Sequence, residues 1–319
     1  MVLANSFRRS RLTAMLTALL LATLLFYSVK AHGQVGPVPT GPRPPGPMPG
    51  PQPRASLQPP PFQGIRLADR MTSIQPPGPT QPGVAQPPEH PLMPALRWAY
   101  TGLENIEKIQ DYSATLVKRE RLDGKVGETE YMFVKVRHKP FSVYLYFLGP
   151  PALKGREVIY IDGQNNGNLW AHTTGIQDKL VGTISLKPNG VIAMRGQRYP
   201  LTELGILNLV RRLIDVAEQD VKYGECEVNY FKGVKINDRT CTCIQVVHPY
   251  PRRNFLFHLA RIFVDDELNV AIRYESHSWP PQASGRPELI EEYTYLNLKL
   301  NNGFTDRDFD TRNPDYQFR

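Results

Sequence analysis

The chain has 319 residues and a formal net charge of +8, a balance that taken whole would suit a nucleic-acid partner. Residues 1–94 carry 8 Lys and Arg against 2 Asp and Glu, whereas residues 95–319 carry 30 against 28. The larger part is therefore near neutral and lacks the clustered basic face that nucleic-acid binding needs; at about 225 residues it can bury one substantial core.

Arg8, Arg9 and Arg11 precede an apolar run without charge at residues 12–29. A basic segment followed by an apolar one is the pattern of an export signal. Residues 1–31 are thus expected to be a signal peptide, with Val29-Lys30-Ala31 as a cleavage pattern, or an N-terminal membrane anchor. A run of about 18 residues is near the lower length for a span. Membrane contact through residues 12–29 follows if the leader is retained. Either way the protein is expected to be exported, to periplasm or cell envelope, with anchoring to the inner membrane in the second case. Residues 32–94 hold all 20 of the first segment's prolines, out of 31 in the chain. Proline fixes φ and removes a donor, so this is expected to be a disordered linker with polyproline character.

The remainder, residues 95–319, reads as one domain. Residues 94–109 predict a helix, with Leu96, Ala99, Leu103 and Ile106 on one stripe. Strands are expected at 112–122, 130–137 and 141–148. The last of these is apolar on both faces, with Phe141, Val143, Leu145 and Phe147 on one and Tyr144, Tyr146 and Leu148 on the other. A sheet with one wet face has no such strand, so both faces are covered or one lines an apolar cavity. A hairpin follows at 156–161 and 168–173, around Asp162-Gly163 and Asn166-Gly167 turn chemistry; His172 reads as a surface residue and Trp170 as a cavity candidate. A weak strand at 180–186 precedes a second helix at 202–220, which Thr202 is placed to cap. Its stripe is Ile206, Leu209, Val210, Leu213, Val216 and Ala217. Strands at 225–236, 240–247, 259–264, 270–277 and 293–300 complete the series. In the last strand Tyr293 and Tyr295 alternate against Leu296, Leu298 and Leu300. Residues 279–287 are a loop that Trp279 is expected to anchor.

About ten strands, two helices and no alternation of strand with helix predict an α+β fold: a curled, mostly antiparallel sheet, an incomplete barrel, covered by the two helices. No phosphate loop, dinucleotide fingerprint or catalytic elbow is present. Asp306, Asp308 and Asp310 alternate like a calcium loop, but its glycine and closing glutamate are missing. No metal, cofactor or catalytic residue is expected. Cys226, Cys241 and Cys243 allow one disulfide, with Cys226 joined to one of the other two; zinc finds only His248 nearby as a further ligand. The cavity candidates are Phe141, Val143, Tyr144, Leu145, Tyr146, Phe147, Trp170, Tyr293 and Tyr295.

Three stretches, CTCIQVVHP at 241–249, ARIFVDDELNVAIRYES at 260–276 and EEYTYLNLKLNNGFTDRDFD at 291–310, resemble an exported planctomycete family, domain-of-unknown-function family 1571. That family implies no catalytic residues. More distantly, the entry Asp111-Tyr112-Ser113-Ala114, the 265–275 hairpin and the closing segment resemble the lipoprotein-carrier and lipoprotein-sorting superfamily. That resemblance implies helices closing an apolar cavity over the concave face of the sheet. The expected function is noncatalytic binding or carriage of a lipid, an acylated protein or another apolar ligand. The alternatives are an envelope interaction module with a self-filled core and, third, a hydrolase.

Overall fold

A computed structural model of the chain describes residues 89–173, 182–282 and 285–318, all within one compact unit, 64–319. The predicted leader and most of the linker lie outside the described residues. Helix α1, Met93–Glu107, carries Pro94 in its first turn and buries Leu96 and Ile106. Strands β1 (Asp111–Leu122), β2 (Lys125–Val126), β3 (Glu130–Arg137), β4 (Ser142–Gly149), β5 (Glu157–Ile161), β6 (Leu169–His172) and β7 (Ile184–Leu186) follow. Helix α2, Ile206–Asp220, separates them from β8 (Glu227–Ile236), β9 (Arg239–Val247), β10 (Leu259–Asp265), β11 (Ala271–Ser278) and β12 (Glu288–Leu300). The twelve strands form one antiparallel sheet in the order β7-β6-β5-β4-β3-β1-β12-β11-β10-β9-β8, with β2 on β1. β7 and β8 remain its edges, so the barrel does not close, as expected for an incomplete one.

The last strand is central, not peripheral. β12 pairs with β1 on one side and β11 on the other, joining the meander β1–β7 to the meander β8–β11. It also begins at Glu288, five residues earlier than its alternating pattern predicts. Its inward position there is Glu291, a charged residue that hides the strand from a hydrophobic reading. At Asn297, with φ of 53°, the register against β1 shifts. Tyr293 and Tyr295 face the core before this bulge, and Leu298 and Leu300 face the same core after it. An inserted residue reverses side-chain parity, so both predicted faces serve one interior.

The turn that follows is clasped from β1. Buried Asp111 accepts hydrogen bonds from the backbone of Asn302 (2.6 Å), Gly303 (3.1 Å) and Phe304 (3.0 Å). The tail then crosses the convex face. Tyr316 stacks on Tyr144 at 4.0 Å, and Phe309 is buried. Asp306 pairs with Arg137, Asp308 with Lys135 and Asp310 with Arg312, so the three aspartates stabilise the tail individually.

Three local expectations need correction. α2 is capped by Gly205, at φ of 118°, and not by Thr202, which lies in a preceding 3-10 turn. The hydroxyl of Tyr112 accepts from the first amide, Ile206 N, at 2.9 Å, and a Cβ at residue 205 would lie 3.0 Å from that oxygen. His172 is buried, near Phe318, rather than on the surface. All three cysteines are free and buried. Pairing of Glu227 with Val247 sets Cys226 level with His248, five and seven residues along β9 from Cys243 and Cys241. That is roughly 17 and 24 Å at strand rise, beyond the reach of about 7 Å that a disulfide allows.

Candidate functional site

α1 and α2 lie antiparallel across one end of the concave face. Tyr100 donates to Glu218, Arg211 pairs with Glu107 at 2.7 Å, and the His90 ring meets the Tyr223 carbonyl at 2.8 Å. These links fix the outer seam between the helices. Beneath it, between the helices and β9–β11, is a cavity of ≈ 840 Å³, its open mouth included.

The cavity exists because small residues face each other. Ala95, Ala99 and Gly102 recur on one face of α1, Ala217 lies on α2, and Ala260 and Ala271 lie on the sheet. Spacings of four and three put residues 95, 99 and 102 on one stripe. Larger apolar side chains, among them Leu92, Trp98, Leu213, Ile244, Val246 and Phe257, frame the space they leave. Only two lining side chains are strongly polar, Asn269 and Asp220. Asn269, in the β10–β11 turn, accepts a hydrogen bond from the Trp98 indole at 3.2 Å. Asp220, the last residue of α2, is buried and lines the cavity together with Leu92, Val246 and Phe257.

None of the nine residues expected to line a cavity lines this one. Val143, Leu145, Phe147 and Tyr295 belong to the main core, with Phe141 and Tyr293 packed against it. Tyr144 belongs to the convex-face cluster, with Tyr146 and Trp170 packed on it beneath Phe304, Phe309, Tyr316 and Phe318. Both faces of β4 are therefore covered by protein, which accounts for its two-sided apolar pattern. The helix stripes Leu96, Ala99 and Ile106, and Val210, Leu213, Val216 and Ala217, carried the cavity instead. Their readable signal was the run of alanine and glycine within an apolar stripe.

Behind Asp220 is His248, completely buried and stacked on Phe255 at 3.9 Å. Its Nδ1 donates to the Phe257 carbonyl at 3.1 Å. Its Nε2 lies 3.3 Å from Asp220 Oδ2, outside hydrogen-bond alignment. Cys226 sits level with His248 in the β8–β9 register, which raises a Cys–His–Asp arrangement. The chemistry does not fit a nucleophile: burial, with the charges of Asp220 and Glu227 adding, pushes the Cys226 thiol up to about 11. Both nitrogens of His248 face oxygen atoms, so the ring is not placed to take the thiol's proton. Cys241 and Cys243 are pushed up to about 12, burial again being the main cause. Among the described residues no three His, Cys, Asp or Glu side chains are grouped to hold a metal ion.

Toward β1 and β3 the same concave face carries charge. Lys118 Nζ lies 3.2 Å from Glu130 and 3.6 Å from Glu120. Tyr293 donates to Glu120 at 2.6 Å, and Arg198 pairs with Glu291 at 3.0 Å. Burial raises the carboxyls of Glu130 and Glu291 above the usual range, with Lys118 and Arg198 respectively opposing it.

The chain belongs to a family described as protein of unknown function (DUF1571), whose sequence profile matches residues 109–318. No curated protein matches it in sequence. Among solved structures it is similar to the Mycobacterium tuberculosis lipoprotein LppX, at 12% identity over 68% of this chain and 100% of that one, with a TM-score of 0.40. It is also similar to a putative outer membrane lipoprotein-sorting protein domain from Vibrio parahaemolyticus, at 12% identity over 67% and 95%, with a TM-score of 0.33. The complex of Pseudomonas aeruginosa MucA and MucB is a third, at 13% identity over 68% and 60%, with a TM-score of 0.36.

Proposed function

We propose that this protein binds and carries an apolar ligand, a lipid or the acyl chain of a lipidated partner, in the cavity under α1 and α2. The observation that carries the reading is a cavity walled almost wholly by aliphatic and aromatic side chains, roofed by two helices over a rigid sheet. An apolar hollow with very few polar groups is the usual make-up of a small-ligand site. The basic and apolar leader at residues 8–29 supports export to the periplasm or envelope, where such carriage is useful. Residues 141–148, first expected to line the site, support only the β1–β6 half of the core. That half is filled by its own side chains, the observation favouring a second reading as an envelope interaction module.

Gly102 separates the two. It lines the cavity, and a Cβ built on it meets nothing within 4 Å. Gly102→Leu starts a larger side chain at a point where its Cβ meets no neighbour, on the wall of the hollow. The full-length variant is expected to melt at or above the wild-type temperature and to bind the neutral fluorophore N-phenyl-1-naphthylamine at least about tenfold more weakly, a change of about 1.4 kcal/mol. Undiminished binding by a folded Gly102→Leu protein would remove the cavity as the site. Native mass spectrometry of wild-type protein purified from its own envelope should show a copurifying lipid, depleted in the variant.

A further inference from the structure

Resting on that reading, we infer that the cavity selects for a ligand head that donates a hydrogen bond, a hydroxyl or an amine, and rejects a free carboxylate. Three features of the Asp220 side of the cavity point to this. Asp220 lines the cavity and its side chain is 3% exposed, so its carboxylate meets the ligand and little water. Its one close partner among the described side chains is His248, whose Nε2 forms no hydrogen bond with it. A carboxylate has about four acceptor sites and no donor, so those sites remain for a ligand that donates. His248 is completely buried behind the carboxylate and cannot itself reach a ligand.

The backbone strengthens the same sign. Asp220 ends α2, and a helix C-terminus carries partial negative charge. An anionic head would meet that charge and the carboxylate in a space walled by Leu92, Val246 and Phe257, with little solvent to screen it. A hydroxyl or amine placed there donates to Asp220, and that bond offsets the hydration the head gives up. At the β10–β11 turn, Asn269 has its carbonyl oxygen occupied by Trp98, which leaves its amide as a weak second handle.

The test is calorimetric titration of the full chain at pH 7 with 1-dodecanol and with dodecanoate, two probes sharing one alkyl chain. The expected result is dodecanol tighter by about tenfold or more, the range for a hydrogen bond to a charged group. In Asp220→Asn the gap should narrow to less than about threefold, chiefly because dodecanoate gains. Equal affinities in the wild type, or a preference for dodecanoate, overturn the head-group inference and leave the apolar site standing. Failure of both alkyl probes and the fluorophore overturns the apolar site and the inference with it. Where Asp220→Asn does not fold, the wild type should bind the methyl ether of 1-dodecanol, which cannot donate, about tenfold more weakly than 1-dodecanol, and equal affinities overturn the inference.

Discussion

The two ends of the concave face are built on one sheet and solved in opposite ways. Toward β1 and β3, long charged side chains fill the space. Lys118 lies between Glu130 and Glu120, while Tyr293 joins Glu120 and Arg198 joins Glu291. Toward β9–β11, alanines and a glycine face one another and the space stays empty. Protein interiors are normally close-packed, and a void forfeits dispersion contacts on every wall. The filled end shows that this fold can plug its concave face when it has the side chains to do so. An unfilled hollow at the other end is therefore a property of the residues chosen there and not of the architecture.

The comparison breaks most sharply at Lys118. Lys118→Met keeps the stem of the side chain but leaves Glu120 and Glu130, both largely buried, without their shared cation. Removing one partner of a buried ion pair costs about 3–5 kcal/mol. Urea unfolding of the full chain should show a loss of that order, with fluorophore binding retained by the protein that remains folded. A loss under about 1 kcal/mol would mean that charge does not hold this end together, and the contrast would fail.

Most of the scaffold was legible in the sequence, because the period-2 and stripe patterns that specify it come from the apolar positions that bury it. The two helices, eleven of the twelve strands and the incomplete barrel all followed from that. The first half of β12 was not legible, since its inward residue is Glu291, whose burial depends on Arg198, almost a hundred positions away in the chain. The site was misplaced for a related reason. An apolar residue such as Phe147 or Tyr295 reads the same whether it lines a hollow or fills one. What distinguishes the two is the size of the residue opposite, a long-range fact, and here the opposite residues are Ala260 and Ala271. The side chains that make a void are the small ones, and they carry the weakest hydrophobic signal.

A smaller substitution sharpens the account of the open end. Gly102 lies inside α1, with nothing within 4 Å of an added Cβ. Gly102→Ala should stabilise the protein by about 1 kcal/mol through helix propensity alone. A single methyl group leaves most of the hollow in place, so binding of N-phenyl-1-naphthylamine should fall by less than about threefold. A melting temperature below wild type would show that the wall at Gly102 is already in contact with something.

The smallest effect separates the ends by pH. Burial holds the Glu291 and Glu130 carboxyls above their ordinary value, so the folded state keeps their protons at pH values where the unfolded chain has released them. A carboxyl raised in this way favours folding below the unfolded value of 4.5, and that contribution is lost as pH rises through the folded value. Glu275, held low by Arg273 and Arg261 against its own burial, acts in the other direction: its contribution is present above 4.5 and lost as pH falls through the folded value. The window just above pH 4.5 therefore belongs to the filled end. Urea midpoints taken from pH 7.5 down to 4.5 should show wild type gaining on Glu291→Gln as the pH falls, because the amide has no proton to take up. Gly102→Ala, altered at the open end, should run parallel to wild type across the whole range. Parallel curves for Glu291→Gln as well would mean that its carboxyl already carries its ordinary charge when folded, and that Arg198 alone compensates for its burial.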